Sequence, residues 1–250
     1  MPKRRAPVAS ERVRREWARR VEAEYRSAAI TQHLVLWLIQ LGLSPTLIEA
    51  GLRIVKDELA HARLSHRALV AAGEAAVQPI ARESLAIKDL RPTDPLELRA
   101  ARAAVETFCL GETVAVPLFA ALRKGCIAPA AKKALDRVLV DEVRHRDFGW
   151  DLLDHLLEQP YSAPIRDLVT RELPRMLRSI AAGYAPEGAE RLDAIDARDR
   201  GWGLMPASEY ARIFERAIGR DYAPRFAKRG FDVKTAWADA RADIGAAPRA

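Results

Sequence analysis

The sequence predicts an all-α protein: a four-helix bundle with one long crossover, followed by additional C-terminal helices. Three observations predict it. Alanine, Leu, Arg and Glu are plentiful, while β-branched and aromatic runs are scarce, which favours helix throughout. The connections between the four long segments run short, long, short. The tetrad Asp-Glu-x-x-His occurs twice, once in "KDELAHARLS" and once in "DEVRHRDFGW".

The first helix is predicted from about Ser10 to Gln40, with Gly42 ending it. Ser44 then caps a second helix, with Pro45 at its first position, and Gly73 stops it after about Ala72. Residues 73 to 95 hold no sustained period and carry Pro79 and Pro92, so they read as the crossover. In "TDPLE", Asp94 or Thr93 is expected to cap a third helix, with Pro95 at its first position. That helix runs to about Lys124, with a kink expected at Pro117. After the turn "GCIAP", a fourth helix runs from about Pro129 to Glu158. Short loops force antiparallel neighbours, and the long one lets the third helix start at the same end as the second. Residues 1 to 160 are read as the bundle and 161 to 250 as a helical extension packed on it. The extension comprises a helix near 162 to 183, broken or kinked at Pro174, a turn-rich link at "GWGLMP", and helices near 207 to 228 and 232 to 242.

Composition narrows the function classes. Hydrophobic residues make up 49% and charged residues 30%, ordinary for a globular protein in water. The apolar run "LVLWLIQLGL" is too short to span a bilayer, and no apolar stretch follows the basic start. Two cysteines, Cys109 and Cys126, make no disulfide framework. A cytoplasmic protein without membrane association is expected. Residues 1 to 20 hold eight cations against Glu11 and Glu16, so they carry six of the net seven positive charges. Such a start is read as a solvated helix end rather than a nucleic-acid arm.

The repeated tetrad carries the chemistry. Residues three apart share a helix face, about 5–6 Å apart at Cβ. Glu58 with His61, and Glu142 with His145, can therefore each offer a carboxylate and an imidazole to one metal site. Two such motifs, each led by Asp and each inside a helix, arise by chance less often than about once in a thousand sequences of this composition. Register supplies two more carboxylates. Glu112 lies 15 residues before the turn near residue 127 and Glu142 lies 15 after it, at one depth in an antiparallel hairpin. Glu106 would be about 9 Å too far along. Glu24, 19 residues before the turn near residue 43, is offset by about 6 Å from Glu58, 15 after it. The leading acids suit support of the histidines: Asp57 is expected to reach His145, and Asp141 to reach His61. Ser27, Ala28, Ala29 and Gly111 place small side chains beside these positions. His33, His66, His155, Tyr25, Trp150 and Cys109 are set aside as packing or surface residues.

The pattern Glu24 / Glu58-x-x-His61 / Glu112 / Glu142-x-x-His145 resembles the ferritin-like di-iron carboxylate superfamily. The phrasing "EYRSAA…DELAHA…CLGET…DEVRH" is similar to rubrerythrin-related, uncharacterised bacterial ferritin-like proteins, over about residues 15 to 158. The resemblance implies two iron ions, with manganese or a mixed pair as variants, held by those six residues. It implies a non-haem oxidoreductase that activates O2 or peroxide to oxidise a small substrate. The alternatives are a ferroxidase or iron-handling protein with no organic substrate and, further off, an RNA-directed hydroxylase. There is no Cys-x-x-Cys, so any electron donor is a separate protein or the substrate itself. A homodimer is compatible with this reading.

Overall fold

The computed structural model describes residues 8–74, 76, 79–85, 91–184 and 195–246. The predicted basic residues Lys3, Arg4 and Arg5 lie outside them. Among the described residues the chain is all-α, with no strand. The helices are α1 (Glu11–Gln40), α2 (Pro45–Ala71), α3 (Leu96–Ala103), α4 (Thr113–Gly125), α5 (Pro129–Leu157), α6 (Ser162–Tyr184), α7 (Ala197–Gly201), α8 (Ala207–Ala217), α9 (Ala223–Ala227) and α10 (Val233–Ala246). Two π-helical segments, Ala104–Glu112 and Ile218–Tyr222, join α3 to α4 and α8 to α9.

Contacts group the chain into two compact units. The first holds Met1–Leu90, Leu118–Arg144 and Ala194–Met205; the second holds Arg91–Pro117, His145–Asp193 and Pro206–Ala250. This grouping differs from the division at residue 160, because α4 and α5 each belong partly to one unit and partly to the other.

In the first unit, α1 and α2 form a tightly packed hairpin. Ser10 and Ser44 accept from the amides of Val13 and Leu47 as N-caps, and Pro45 sits in the first turn of α2. Gly42 and Gly73 take positive φ (67° and 92°) where the two helices end, a conformation that costs a glycine nothing. Val13, Trp17, Leu34, Leu38, Ile54 and Leu69 are buried along the hairpin. The "GWGLMP" segment is no solvent-facing link: Gly201, Trp202, Gly203, Leu204, Met205 and Pro206 are all buried. The carbonyl of Gly201 accepts from the amides of Ile127 and Ala128 at 2.8 Å each, closing the turn between α4 and α5. Trp202 O accepts from the Trp17 indole at 3.2 Å. Arg20, counted with the basic start, is buried instead: its guanidinium packs 4.7 Å from the Trp17 ring and donates to Gly203 O. An indole face and a carbonyl offered this cation a place that charge counting could not show.

In the second unit, α6 packs on α3, on the first π segment, on α8 and on α10. Neither interior proline breaks its helix. α6 runs unbroken through Pro174, and α4 runs through Pro117. Burial of Ile165, Leu168, Val169, Leu173, Met176 and Leu177 stabilises α6 by more than the roughly 3 kcal/mol an interior proline costs. The third helix begins at Leu96 with Pro95 as a cap that makes no side-chain bond. Asp94, predicted to cap it, instead accepts from Arg102 Nη2 at 2.6 Å. Leu96–Gly125 is long and apolar enough to cross a membrane by length and composition alone. Its Val105, Phe108, Leu110 and Val114 are fully buried in the protein.

Arg102 also donates to Glu172 from Nε (2.9 Å) and Nη2 (3.2 Å), and both side chains are nearly solvent-free. Burial pushes the Glu172 carboxyl up, but the Arg102 hydrogen bonds and the charges of Arg102, Arg91 and Arg175 outweigh it and hold the group below its ordinary 4.5. A depressed folded value means this stabilisation is present above pH 4.5 and is lost as pH falls through the folded value. Glu172→Gln is expected to cost about 1–2 kcal/mol at pH 7, since Asp94 still pairs with Arg102. Urea unfolding at pH 7 and at about pH 3 should show the gap between variant and parent closing in acid. A gap independent of pH would mean that packing, not charge, is what the substitution removes.

Candidate metal centre

Three of the six predicted ligands converge in the first unit. Oxygen and nitrogen atoms of Glu24 on α1 and of Glu58 and His61 on α2 all lie within 4.8 Å of one another, and all three residues are buried. His61 Nδ1 stands 3.3 Å from Glu58 Oε2 and 3.8 Å from Glu24 Oε2. Its other nitrogen, Nε2, lies 3.0 Å from Asp141 Oδ2. The predicted reach of Asp141 to His61 is therefore present. In the neutral ring, an Nε2–H donating to Asp141 would leave the Nδ1 lone pair facing the two carboxylates, the tautomer a metal ligand needs.

These positions follow from local sequence. Glu58 and His61 are one turn apart, so they share the face of α2 that includes the buried Ile54 and Ala62. Glu24 falls on the buried face of α1 with Val21, Ala28 and Thr31. The offset of about one turn expected from loop counting does not keep Glu24 away. Ser27, one of the small side chains beside these positions, also donates its hydroxyl to Glu58 Oε1 at 2.8 Å.

The electrostatics are those of buried acids crowded around one imidazole. Burial raises Glu24 to about 7; the His61 bond works against this and the Glu58 charge adds to it. Burial would lower His61, but hydrogen bonds and charge from Glu24 and Glu58 prevail and push it up to about 11. Without a metal, a proton on His61 therefore takes the place of positive charge between the carboxylates.

Two arginines that the sequence reading left aside brace this group. Arg144 donates from Nη2 to Asp57 Oδ2 (3.0 Å) and to Asp141 Oδ1 (2.6 Å). Arg137 donates from Nη2 to Asp57 Oδ1 at 2.9 Å and pairs through Nε with Asp141. Burial pushes Asp141 up, yet Arg137, His61 and Arg144 together hold it below its ordinary value. The signal was available: Arg137 and Arg144 lie one turn before and one turn after Asp141.

In the second unit, Glu112 closes the first π segment and His145 lies on α5, with ligand atoms within 4.8 Å of each other. His145 is fully buried and Glu112 half-buried. Single π turns inside helices frequently mark functional sites, because the extra residue re-aims the side chains around it. The close approach behind this pair comes from Gly149. Cys109 Sγ donates to Gly149 O at 3.3 Å, and a Cβ built on Gly149 would meet Phe108 Cβ at 2.4 Å. Glu142, in the first unit, is buried on α5 one turn before His145 and does not join the Glu24–Glu58–His61 group.

The residues set aside behave as packing or surface groups. His33 is exposed and meets Trp37 edge-on, and His155 bonds Gln159. Glu106 pairs with Arg175 at 3.2 Å. Trp150 is buried and donates to Thr113 Oγ1. Tyr25 does not pack; it is 43% exposed. Burial raises the Cys109 thiol far above its ordinary value, so it remains a protonated core group.

No family model, no curated protein and no solved structure matches the chain. The chemistry of the site is therefore argued from its own geometry. Carboxylates with imidazole, and no thiolate, suit iron, manganese or another first-row divalent ion. The buried donors, with one ring nitrogen held and the other facing two carboxylates, fit such an ion.

Proposed function

We propose that the protein is a ferritin-like di-iron carboxylate oxidoreductase, with Glu24, Glu58, His61, Glu112, Glu142 and His145 as the ligands of a di-metal centre. The observation that carries this reading is the buried convergence of Glu24, Glu58 and His61, with Asp141 on the far ring nitrogen. The remaining ligands rest on the second Asp-Glu-x-x-His motif and on the register of Glu112. Four glutamates carry four negative charges, which match two divalent ions. By the symmetry of the motifs, Asp57 supports His145 as Asp141 supports His61.

Iron bound here would supply the electrons that reduce O2 or peroxide. The chain's own part is positioning. Asp141 fixes the His61 tautomer, Ser27 holds one oxygen of Glu58, and Arg137 and Arg144 keep Asp141 ionised. Oxidation of a small substrate, with O2 or peroxide as the partner and a separate electron donor, is the activity this arrangement serves best. The test is metal analysis and optical spectra of protein loaded anaerobically with Fe(II), before and after O2. About two iron ions per chain are expected, with an absorption change on oxygenation. Glu142→Ala should bind less iron and lose that change. Protein that takes up no Fe(II) anaerobically would sink the reading. A large hollow oligomer on gel filtration that mineralises iron would transfer it to iron storage.

A further inference from the structure

We propose that the groove between α2 and α5 in the first unit, lined by Ala60, Arg63, Leu64, Arg67, Lys133 and Arg137, binds a small phosphate-bearing ligand. Its volume is about 280 Å³, and no carboxylate lines it. The lining follows from helical spacing. Arg63 and Arg67 are one turn apart on α2, as Lys133 and Arg137 are on α5, so each helix presents a pair of cations to the groove.

Among the described residues, three of the four cations that line the groove are not neutralised by a carboxylate. Arg15, Arg20, Arg26, Arg123, Arg137 and Arg144 each meet a carboxylate. Among the described residues, Arg63, Arg67 and Lys133 make no hydrogen bond and no ion pair. Like charges one turn apart destabilise a helix slightly, and two such pairs facing one groove compound the effect. A multiply charged anion relieves it. The planar guanidinium fork matches phosphate oxygens two at a time, and a lysine adds a point charge, so arginines with a lysine make a phosphate cradle. The volume falls just below the range for drug-sized ligand sites, about 300–1,000 Å³, which suits a phosphate with a small organic portion. Leu64 and Ala60 give that portion an apolar wall.

Arg137 differs from the other three, because Asp57 and Asp141 already engage its Nη2 and Nε. That leaves Nη1 for a ligand and holds the guanidinium in place. The proposal does not depend on the metal centre, and its test is carried out with chelator present and no added metal.

Isothermal titration of the full chain with pyrophosphate, and separately with inorganic phosphate, at constant ionic strength tests the site. Saturable one-to-one binding is expected, tighter for pyrophosphate. The triple variant Arg63→Gln, Arg67→Gln, Lys133→Gln should weaken it by about tenfold or more, because each cation lost removes a charge-assisted contact. Arg137 is left in place so that Asp57 and Asp141 keep their partner. All three changed side chains are exposed, so the thermal midpoint should stay near the parent's. Arg15→Gln with Arg19→Gln, on α1, should leave pyrophosphate binding unchanged. The proposal is overturned if pyrophosphate gives no saturable binding at millimolar concentration, or if the triple variant binds as the parent does. It is also overturned if the α1 variant loses as much, since the effect would then be net charge. A short RNA that binds more tightly than pyrophosphate through the same three residues would assign the groove to nucleic acid instead.

Discussion

Gly149→Ala is expected to destabilise the protein by about 2–3 kcal/mol, lowering the thermal midpoint by roughly 4–12 °C. The new methyl carbon would lie 2.4 Å from Phe108 Cβ, 2.9 Å from Phe108 C and 3.0 Å from Cys109 N. Carbon atoms rest near 3.5–4.0 Å apart, so more than an ångström must be found. No rotamer change can supply it, because the opposing atoms are backbone and Cβ. The π segment and α5 must part instead. Alanine's better helix propensity, worth about 1 kcal/mol, offsets only a fraction of this. The same substitution at Gly183, inside α6 with nothing within 4 Å, should stabilise by about 0.5–1 kcal/mol. The two variants isolate close approach from propensity. Gly149 follows His145 by one turn and Phe108 precedes Glu112 by one turn, so parting these helices also separates Glu112 from His145. Iron or manganese affinity should fall with stability. Equal midpoints for parent and Gly149→Ala would show that the helices do not pack as closely as the structure has them.

Gly149 also shows where the sequence was legible and where it was not. Inside "DEVRHRDFGW", Glu142 and His145 stand out because their spacing repeats elsewhere and because metal chemistry wants those side chains. A glycine four residues on carries no such signature: its meaning lies in what packs against it, which is set by residues forty positions earlier. The same contrast runs through the fold. Helix identities and the first turn of the chain were readable from Ser10, Ser44, Pro45, Gly42 and Gly73, because caps and stops are local chemistry. The π winding before Glu112 was not, since an i→i+5 register differs from an α-helix by one residue in phase and leaves no composition mark. Burial of "GWGLMP" was missed for a related reason. Two glycines and a proline speak of turns, and nothing in them says whether a turn faces water or closes over Trp17. The roles of Arg137 and Arg144 were not legible because a charged residue with a half-exposed side chain looks solvated in sequence, while its head group can still reach a buried acid.

Asp141→Ala is expected to lower affinity for a divalent metal by about 10–100-fold, the usual loss when the carboxylate behind a histidine ligand is removed. Asp141 touches no metal in the proposed centre; it acts through His61 Nε2, 3.0 Å away. Without it the imidazole is free to donate from Nδ1, and the lone pair no longer faces Glu24 and Glu58. Stability should change less than affinity. Arg137 and Arg144, about half-exposed at 48% and 42%, keep Asp57 as a shared partner, so their loss is screened by water and amounts to roughly 1 kcal/mol. Asp141→Asn should fall between parent and alanine variant: the amide oxygen can still accept from Nε2, but without the charge that favours that tautomer. Ser27→Ala removes only a neutral donor from Glu58 and should cost less than either. Mn(II) titrations of the four proteins, paired with thermal melts of the metal-free forms, give the comparison. The order parent, Ser27→Ala, Asp141→Asn, Asp141→Ala in falling affinity is expected, with midpoints spread far more narrowly than affinities. If Asp141→Ala binds Mn(II) as tightly as the parent, His61 is not held for a metal by Asp141, and the aspartate serves only to join Arg137 and Arg144 to α5.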